Sequence, residues 1–207
     1  MIDNDILKKL SAYSTPELCD GAGVGNYRTM AARIKRAVTD EKIAGTAFTV
    51  YVPYGGGGIV PDAIMAANEG DVIVISIEKP MNRAVWGDHR SLCAAMKGIK
   101  GAVIDGAFRD IEGCVEVGFP IFAVDVTPGG GGKTREGNLN VPIICGDIEV
   151  CPGDYIIGDE NGIIVIKPHE AEGILKNAEL KKRAEAATIK KIKETGEIIP
   201  RISMDLV

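Results

Sequence analysis

The chain has 207 residues, 45% hydrophobic and 26% charged, with a formal net charge of -5. Such a length and balance suit one folded domain, read here as residues 1–207, and exclude a disordered chain. The acidic balance weighs against nucleic acid as a partner, because phosphate recognition draws on clustered Lys and Arg.

The first ten residues lack an apolar signal core, and no apolar run approaches the ~20 residues that span a bilayer. A cytoplasmic protein without a membrane partner is expected. Thr15, Pro16 and Glu17 read as an N-cap, a first-turn proline and a first-turn acid, opening a short helix that Gly21, Gly23 and Gly25 end. Those glycines follow no strand and are too closely spaced for a dinucleotide fingerprint. Residues 45–54 alternate β-branched and aromatic side chains as a strand does, then run into Gly55, Gly56, Gly57 and Gly58, read as a flexible loop.

A short helix is expected over 61–68 and a strand over 71–77, whose continuous Val and Ile content implies burial on both faces. A helix over 88–97 is capped by Asp88 and stopped by Gly98. A strand over 102–105 turns at Gly106, a helix over 110–117 ends at Gly118, and a strand covers 119–124. Strands alternating with ~10-residue helices form right-handed crossovers, so this stretch predicts a parallel sheet.

After Gly129–Gly132 come short strands over 141–145, 155–158 and 163–167, with Asn161-Gly162 as a hairpin turn. A last helix over 169–194 carries Ala171, Ile174, Leu175 and Ala178 on one face, and its run Lys181, Lys182, Arg183 reads as solvated. The five cysteines form no C-x-x-C pair and read as buried thiols.

Ligands of open parallel sheets bind beyond the carboxyl ends of the strands, and two such ends concentrate polarity. They are Val85-Trp86-Gly87-Asp88-His89-Arg90 and Asp105-Gly106-Ala107-Phe108-Arg109-Asp110. Each precedes a helix amino terminus, which favours a bound carboxylate. Asp88 and Asp110 could hold a hard divalent cation that keeps several waters, leaving Arg109 for the substrate. Taken singly, Asp88 could equally be a helix cap and Arg109-Asp110 a surface ion pair. His169 reads as a helix-start residue, His89 as lining the pocket or facing solvent, and Trp86 as core or interface.

Asp88, twenty residues and then Arg109-Asp110, set in Ala-Val-Trp-Gly-Asp and Gly-Ala-Val-Ile-Asp-Gly-Ala-Phe-Arg-Asp, resembles the 4-hydroxy-4-methyl-2-oxoglutarate/4-carboxy-4-hydroxy-2-oxoadipate aldolase family. That family shares its fold with the regulator of ribonuclease activity A. Ser14-Thr15-Pro16, Gly70-Asp71-Val72, Gly118-Phe119-Pro120, Asn140-Val141-Pro142 and Pro152-Gly153-Asp154 extend the likeness along most of the chain.

The resemblance implies a three-layer β/β/α fold of the swivelling-domain kind, assembled as a homotrimer or homohexamer. It implies a class II aldolase releasing pyruvate from a small 4-hydroxy-2-oxo acid, with oxaloacetate decarboxylation as a side activity and Mg²⁺ or Mn²⁺ as cofactor. Carried over by position, Asp110 is a metal ligand, Asp88 holds water of the metal shell, Arg109 contacts the pyruvyl oxygens, and the His89 and Arg90 amides receive the substrate carboxylate. His89 and Arg90 depart from the apolar residues common there. The family also implies an acid from a neighbouring subunit, unassigned among Glu179, Glu185 and Glu194. The alternative is a non-catalytic protein that binds and inhibits a ribonuclease or helicase.

Overall fold

A computed structural model of the protein describes residues 4–79 and 82–203. In chain order the elements are α1 (Asn4–Ser11), α2 (Thr15–Ala22), β1 (Arg28–Thr29), β2 (Lys35–Arg36), β3 (Ile43–Val52), α3 (Val60–Ala66), β4 (Asp71–Ile77), β5 (Ala84–Trp86) and α4 (Asp88–Met96). There follow β6 (Gly101–Phe108), α5 (Ile111–Val117), β7 (Ile121–Val126), β8 (Asn138–Leu139), β9 (Ile143–Cys145), β10 (Ile148–Val150), β11 (Tyr155–Asp159), β12 (Gly162–Ile166) and, after a 3₁₀ turn, α6 (Ala171–Thr195).

The main sheet runs β1-β12-β11-β3-β4-β6-β7-β2, with β5 beside β6 and β8 beside β3. Its centre, β3-β4-β6-β7, is parallel and its flanks are antiparallel. Strand β4 shows why the Val and Ile run is continuous. Ile73 and Ile75 enter a core shared with Val60 and Ile64 of α3 and Ala94 of α4, while Val72 and Val74 face Ile143, Cys145 and Val150 of the β9–β10 ladder. The order helices, sheet, small ladder is the expected β/β/α layering. A third core forms where α1, α2 and α6 cover β11 and β12, through Leu10, Leu18, Ile157, Ile164 and Ile174.

Several local expectations are corrected. Ser14, not Thr15, caps α2, in a reciprocal capping box with Glu17. The Thr15 amide and hydroxyl instead donate to buried Asp159, each at 2.7 Å. Gly21 does not end the helix. A side chain there would strike the Ile174 carbonyl at 2.5 Å, so its absence lets α6 approach. Gly106 lies inside β6, where the β6–β7 register shifts between Ile104 and Ala107, rather than in a turn. Glu160-Asn161 forms the hairpin turn, because Asp159 pairs with Gly162. Lys181 and Lys182 are not merely solvated: they reach Asp20 and Glu17 at 3.1 Å each, tying α6 to α2. Of the cysteines, Cys114 and Cys145 are buried but Cys93 is exposed.

The first glycine run is not a free loop. Gly132 donates to the Gly56 carbonyl at 3.0 Å and Gly58 to Thr134 at 2.9 Å, and Gly56 and Gly57 are buried. A Cβ on Gly132 would lie 1.7 Å from the Gly55 carbonyl, and one on Gly58 2.3 Å from that of Lys133. Two main-chain segments thus interlock where side chains would keep them apart. Among the described residues, no helix is long and apolar enough to cross a membrane.

Candidate active site at the ends of two parallel strands

Strand β5 ends at Trp86, which is 1% exposed and stacks on Phe119 with ring centroids 5.8 Å apart. Its indole N–H donates to Ser91 Oγ at 2.9 Å, and that hydroxyl donates to the Gly87 carbonyl at 3.1 Å. The strand end is thereby pinned to the first turn of α4. The Arg109 amide donates to the Trp86 carbonyl at 3.1 Å, which holds the end of β6 beside it. Beneath both, Cys114 Sγ faces the Arg109 carbonyl at 3.6 Å and Ser91 Oγ at 3.5 Å. Burial pushes this thiol above its ordinary pKa, and nearby Asp88 and Asp110 add to the shift, so it stays protonated.

Asp88 is the first residue of α4, not its cap; Gly87 takes that place. The Asp88 carboxylate accepts the His89 amide at 2.6 Å, so a substrate carboxylate bound at that amide would have to displace it. Among the described residues no cation pairs with Asp88. Asp110 precedes α5 in the left-handed conformation, φ 59° and ψ 47°. That backbone costs a non-glycine residue roughly 1–2 kcal/mol, and such outliers gather at functional sites.

Close packing sets both carboxylates. A Cβ on Gly87 would lie 2.7 Å from Asp110 Oδ2, and one on Gly113 would lie 2.7 Å from Asp88 Cβ and 2.9 Å from its Oδ2. Arg109 Nε meets Asp110 Oδ2 at 3.1 Å, with the two side chains 47% and 41% exposed.

All five predicted residues, Asp88, His89, Arg90, Arg109 and Asp110, line one cleft of about 240 Å³, with Gly130 and Gly131 forming a further wall. Sequence reasoning missed that wall, as well as the Ser91–Cys114 support; nothing but the presence of two glycine runs hinted at the first. His89 is exposed at the rim, and His169 is exposed without a capping bond. A groove of about 540 Å³ continues past Arg109 and Asp110 between Ile111, Val126 and Pro128. A larger cleft, about 760 Å³, lies elsewhere, between α2 and the β1–β2 segment. It gathers no converging carboxylates, and the thiol it holds, Cys19, is pushed up to about 11 by burial and by Asp20 and Asp159.

Among the described residues no three His, Cys, Asp or Glu side chains form a metal cluster. The pair Asp88 and Asp110 nevertheless fits a hard divalent ion that keeps most of its waters, since both donors are carboxylate oxygens and the thiol below is protonated.

The chain is 37% identical over 172 residues, 83% of its length and 82% of the relative's, to a protein of Halalkalibacterium halodurans named "Putative 4-hydroxy-4-methyl-2-oxoglutarate aldolase". It is 37% identical to an uncharacterized protein of Methanocaldococcus jannaschii over 82% of this chain and 80% of that one. An uncharacterized Pseudomonas syringae structure superposes with a TM-score of 0.83 at 25% identity, covering 99% of this chain and 93% of that one. The RNA-processing inhibitor RraA from Thermus thermophilis superposes at 0.68 and 24% identity, over 75% and 93%, a likeness of fold alone. Residues 15–165 match the family model RraA-like, described as Aldolase/RraA, and the chain belongs to that family.

Proposed function

We propose that the cleft between α4 and α5 cleaves a 4-hydroxy-2-oxo acid to pyruvate with a divalent metal ion, Mg²⁺ or Mn²⁺, and decarboxylates oxaloacetate as a side reaction. The observation that carries this reading is the meeting of Asp88, Arg109 and Asp110 at two adjacent strand ends, with Asp110 held in a costly backbone conformation. The name of the Halalkalibacterium halodurans relative supports the same chemistry.

Asp88 and Asp110 would hold the ion, which when bound supplies the electron sink for the 2-oxo group. Arg109 presents a planar fork of donors to the pyruvyl carboxylate and to the oxygen at C2, where charge develops. The 4-hydroxyl proton would leave towards Asp88 as the C3–C4 bond breaks, the C4 oxygen forming a C=O bond so that C4 departs as a carbonyl compound. The bonding pair passes to the C2 oxygen as an enolate, and a proton delivered to C3 completes pyruvate. Oxaloacetate loses CO₂ through the same enolate, so Arg109 serves both reactions.

A site with two protein carboxylates is completed most simply by a neighbouring copy, and the exposed Ile111, Val115 and Val126 beside it suit such a contact. A homotrimer or homohexamer is expected by light scattering; a fully active monomer would contradict it. The non-catalytic alternative, a protein that binds and inhibits a ribonuclease or helicase, draws support from the Arg109–Asp110 pair, which satisfies Asp110 without a metal. Pyruvate release from oxaloacetate and 4-hydroxy-2-oxo acids separates the readings. Activity should vanish in excess EDTA and return with Mg²⁺ or Mn²⁺; full turnover under chelation refutes the metal, and no turnover under any condition refutes the enzyme.

A further inference from the structure

Outside the cleft, four polar side chains meet where the chain turns from β10 into β11. Gly153 takes φ 83°, which folds Pro152-Gly153-Asp154 back so that the Asp154 carboxylate accepts the Cys151 amide at 2.8 Å. In the β11–β12 hairpin Tyr155 pairs with Ile166, so Lys167 comes to lie opposite Asp154. Its ammonium donates to the same Asp154 oxygen at 2.8 Å, with the carboxylate 3% and the lysine 20% exposed. It also hydrogen-bonds the Cys151 side chain, whose thiol donates to Glu149 Oε2 at 3.6 Å. Burial works against the ammonium, but the bonds to Asp154 and Cys151 outweigh it and raise its pKa.

A partly exposed thiol and a lysine nitrogen are thus held in contact, with a carboxylate on each to take a proton. Cys114 and Cys145, by contrast, are buried. We propose that Cys151 and Lys167 form an oxidative modification site, joined by dioxygen through a covalent sulfur–oxygen–nitrogen bridge. The ammonium first releases a proton to solvent by way of Asp154, and the thiol passes its proton to Glu149. Sulfur and nitrogen then lose two electrons each to dioxygen, whose O–O bond breaks. One oxygen forms the S–O and O–N bonds; the other leaves as water, carrying the thiol hydrogen and one amine hydrogen. Two equivalents of a dithiol return the four electrons and restore thiol, amine and water, so the bridge is a reversible clasp between the β10–β11 turn and the end of β12. Neither direction depends on the cleft between α4 and α5.

Peptide mass spectrometry of the full chain, reduced and then held in air-saturated buffer, tests it. A protease that cuts after Asp and Glu severs the chain between the two residues, at Asp154, Asp159 and Glu160. The Cys151 and Lys167 peptides should nevertheless stay joined, at the sum of their masses plus about 14 Da for one oxygen gained and two hydrogens lost, and should separate after dithiol treatment. Lys167→Arg keeps the positive charge beside Asp154 but removes the amine, so the joined species should vanish. Should that variant fail to fold, Cys151→Ser removes the thiol and should abolish the bridge equally. Peptides that are unlinked after aerobic incubation, Cys151 oxidised alone to a sulfenic acid trapped by dimedone, or a joined species that survives either substitution overturns the proposal.

Discussion

Replacing Arg109 with Lys retains a positive charge but removes the planar fork, and the structure gives the two roles of this side chain different magnitudes. As a structural group, Arg109 makes a single ion pair at 3.1 Å with Asp110, both partners nearly half exposed. Such pairs contribute under about 1 kcal/mol, and Lys can re-form part of the contact, so the melting temperature should move by no more than a few degrees. Its backbone amide, bonded to the Trp86 carbonyl, is untouched by the change. As a donor to the developing enolate oxygen the same side chain is worth far more, because losing one oriented donor typically costs ~10²–10³ in rate, roughly 3–4 kcal/mol. Arg109→Lys should therefore be folded and nearly inactive. Steady-state pyruvate release from oxaloacetate, run alongside a thermal melt, decides the matter: a variant within threefold of wild-type kcat/KM ends the catalytic assignment of Arg109.

Gly87→Ala places a methyl 2.7 Å from Asp110 Oδ2, in an extended backbone that any residue adopts, so it should displace the carboxylate without straining the chain. Metal affinity, titrated with Mn²⁺, is expected to fall about tenfold or more, and unchanged affinity would argue against Asp110 as a ligand. Asp159 accepts from Thr15 twice and from Asn161 twice; burial pushes its pKa up, but these bonds outweigh it and hold the group below the ordinary carboxylate range. Because the folded pKa is depressed, its contribution is complete above the unfolded value near ~3.9 and is lost as pH falls through the folded one. Asp159→Ala, which strands those donors, should cost about 3 kcal/mol at neutral pH and flatten the acid limb of the stability profile; a melt unchanged at pH 7 would refute the account.

What could be read from the residues was what short-range physics decides. The Val and Ile run of β4 has its observed ends because burial on both faces needs an unbroken apolar stretch. Gly118 stops α5 in a left-handed conformation, φ 70°, as a terminal glycine does. The five candidate residues come together because β5 and β6 are neighbours in a parallel sheet, so their ends open on one cleft. Long-range contacts escaped. Gly106 reads as a turn until β7 is seen to shift register beside it, and Thr15 reads as a cap until Asp159, remote in sequence, claims its amide and hydroxyl. The two-residue strands β1 and β2 carry too few side chains to show a period at all. Arg90 looked like a backbone contributor, since no local pattern reports that its side chain reaches Gly57.

The interlocked glycine runs restrict how this cleft can change over generations. Its wall at Gly130 and Gly131 is main chain, backed by a crossing in which a methyl on Gly132 would occupy the space of the Gly55 carbonyl. Point mutation can hardly remodel that crossing, for a methyl on Gly131, Gly132 or Gly58 lies within 2.9 Å of a main-chain carbonyl before it can offer new chemistry. Variation in substrate range is thereby directed to the opposite side, to the side chains of His89 and Arg90 on α4 and of Ile111 and Glu112 on α5. A mutant library seeking a new ligand for the cleft should concentrate its diversity at those four positions and leave the interlocked glycines alone.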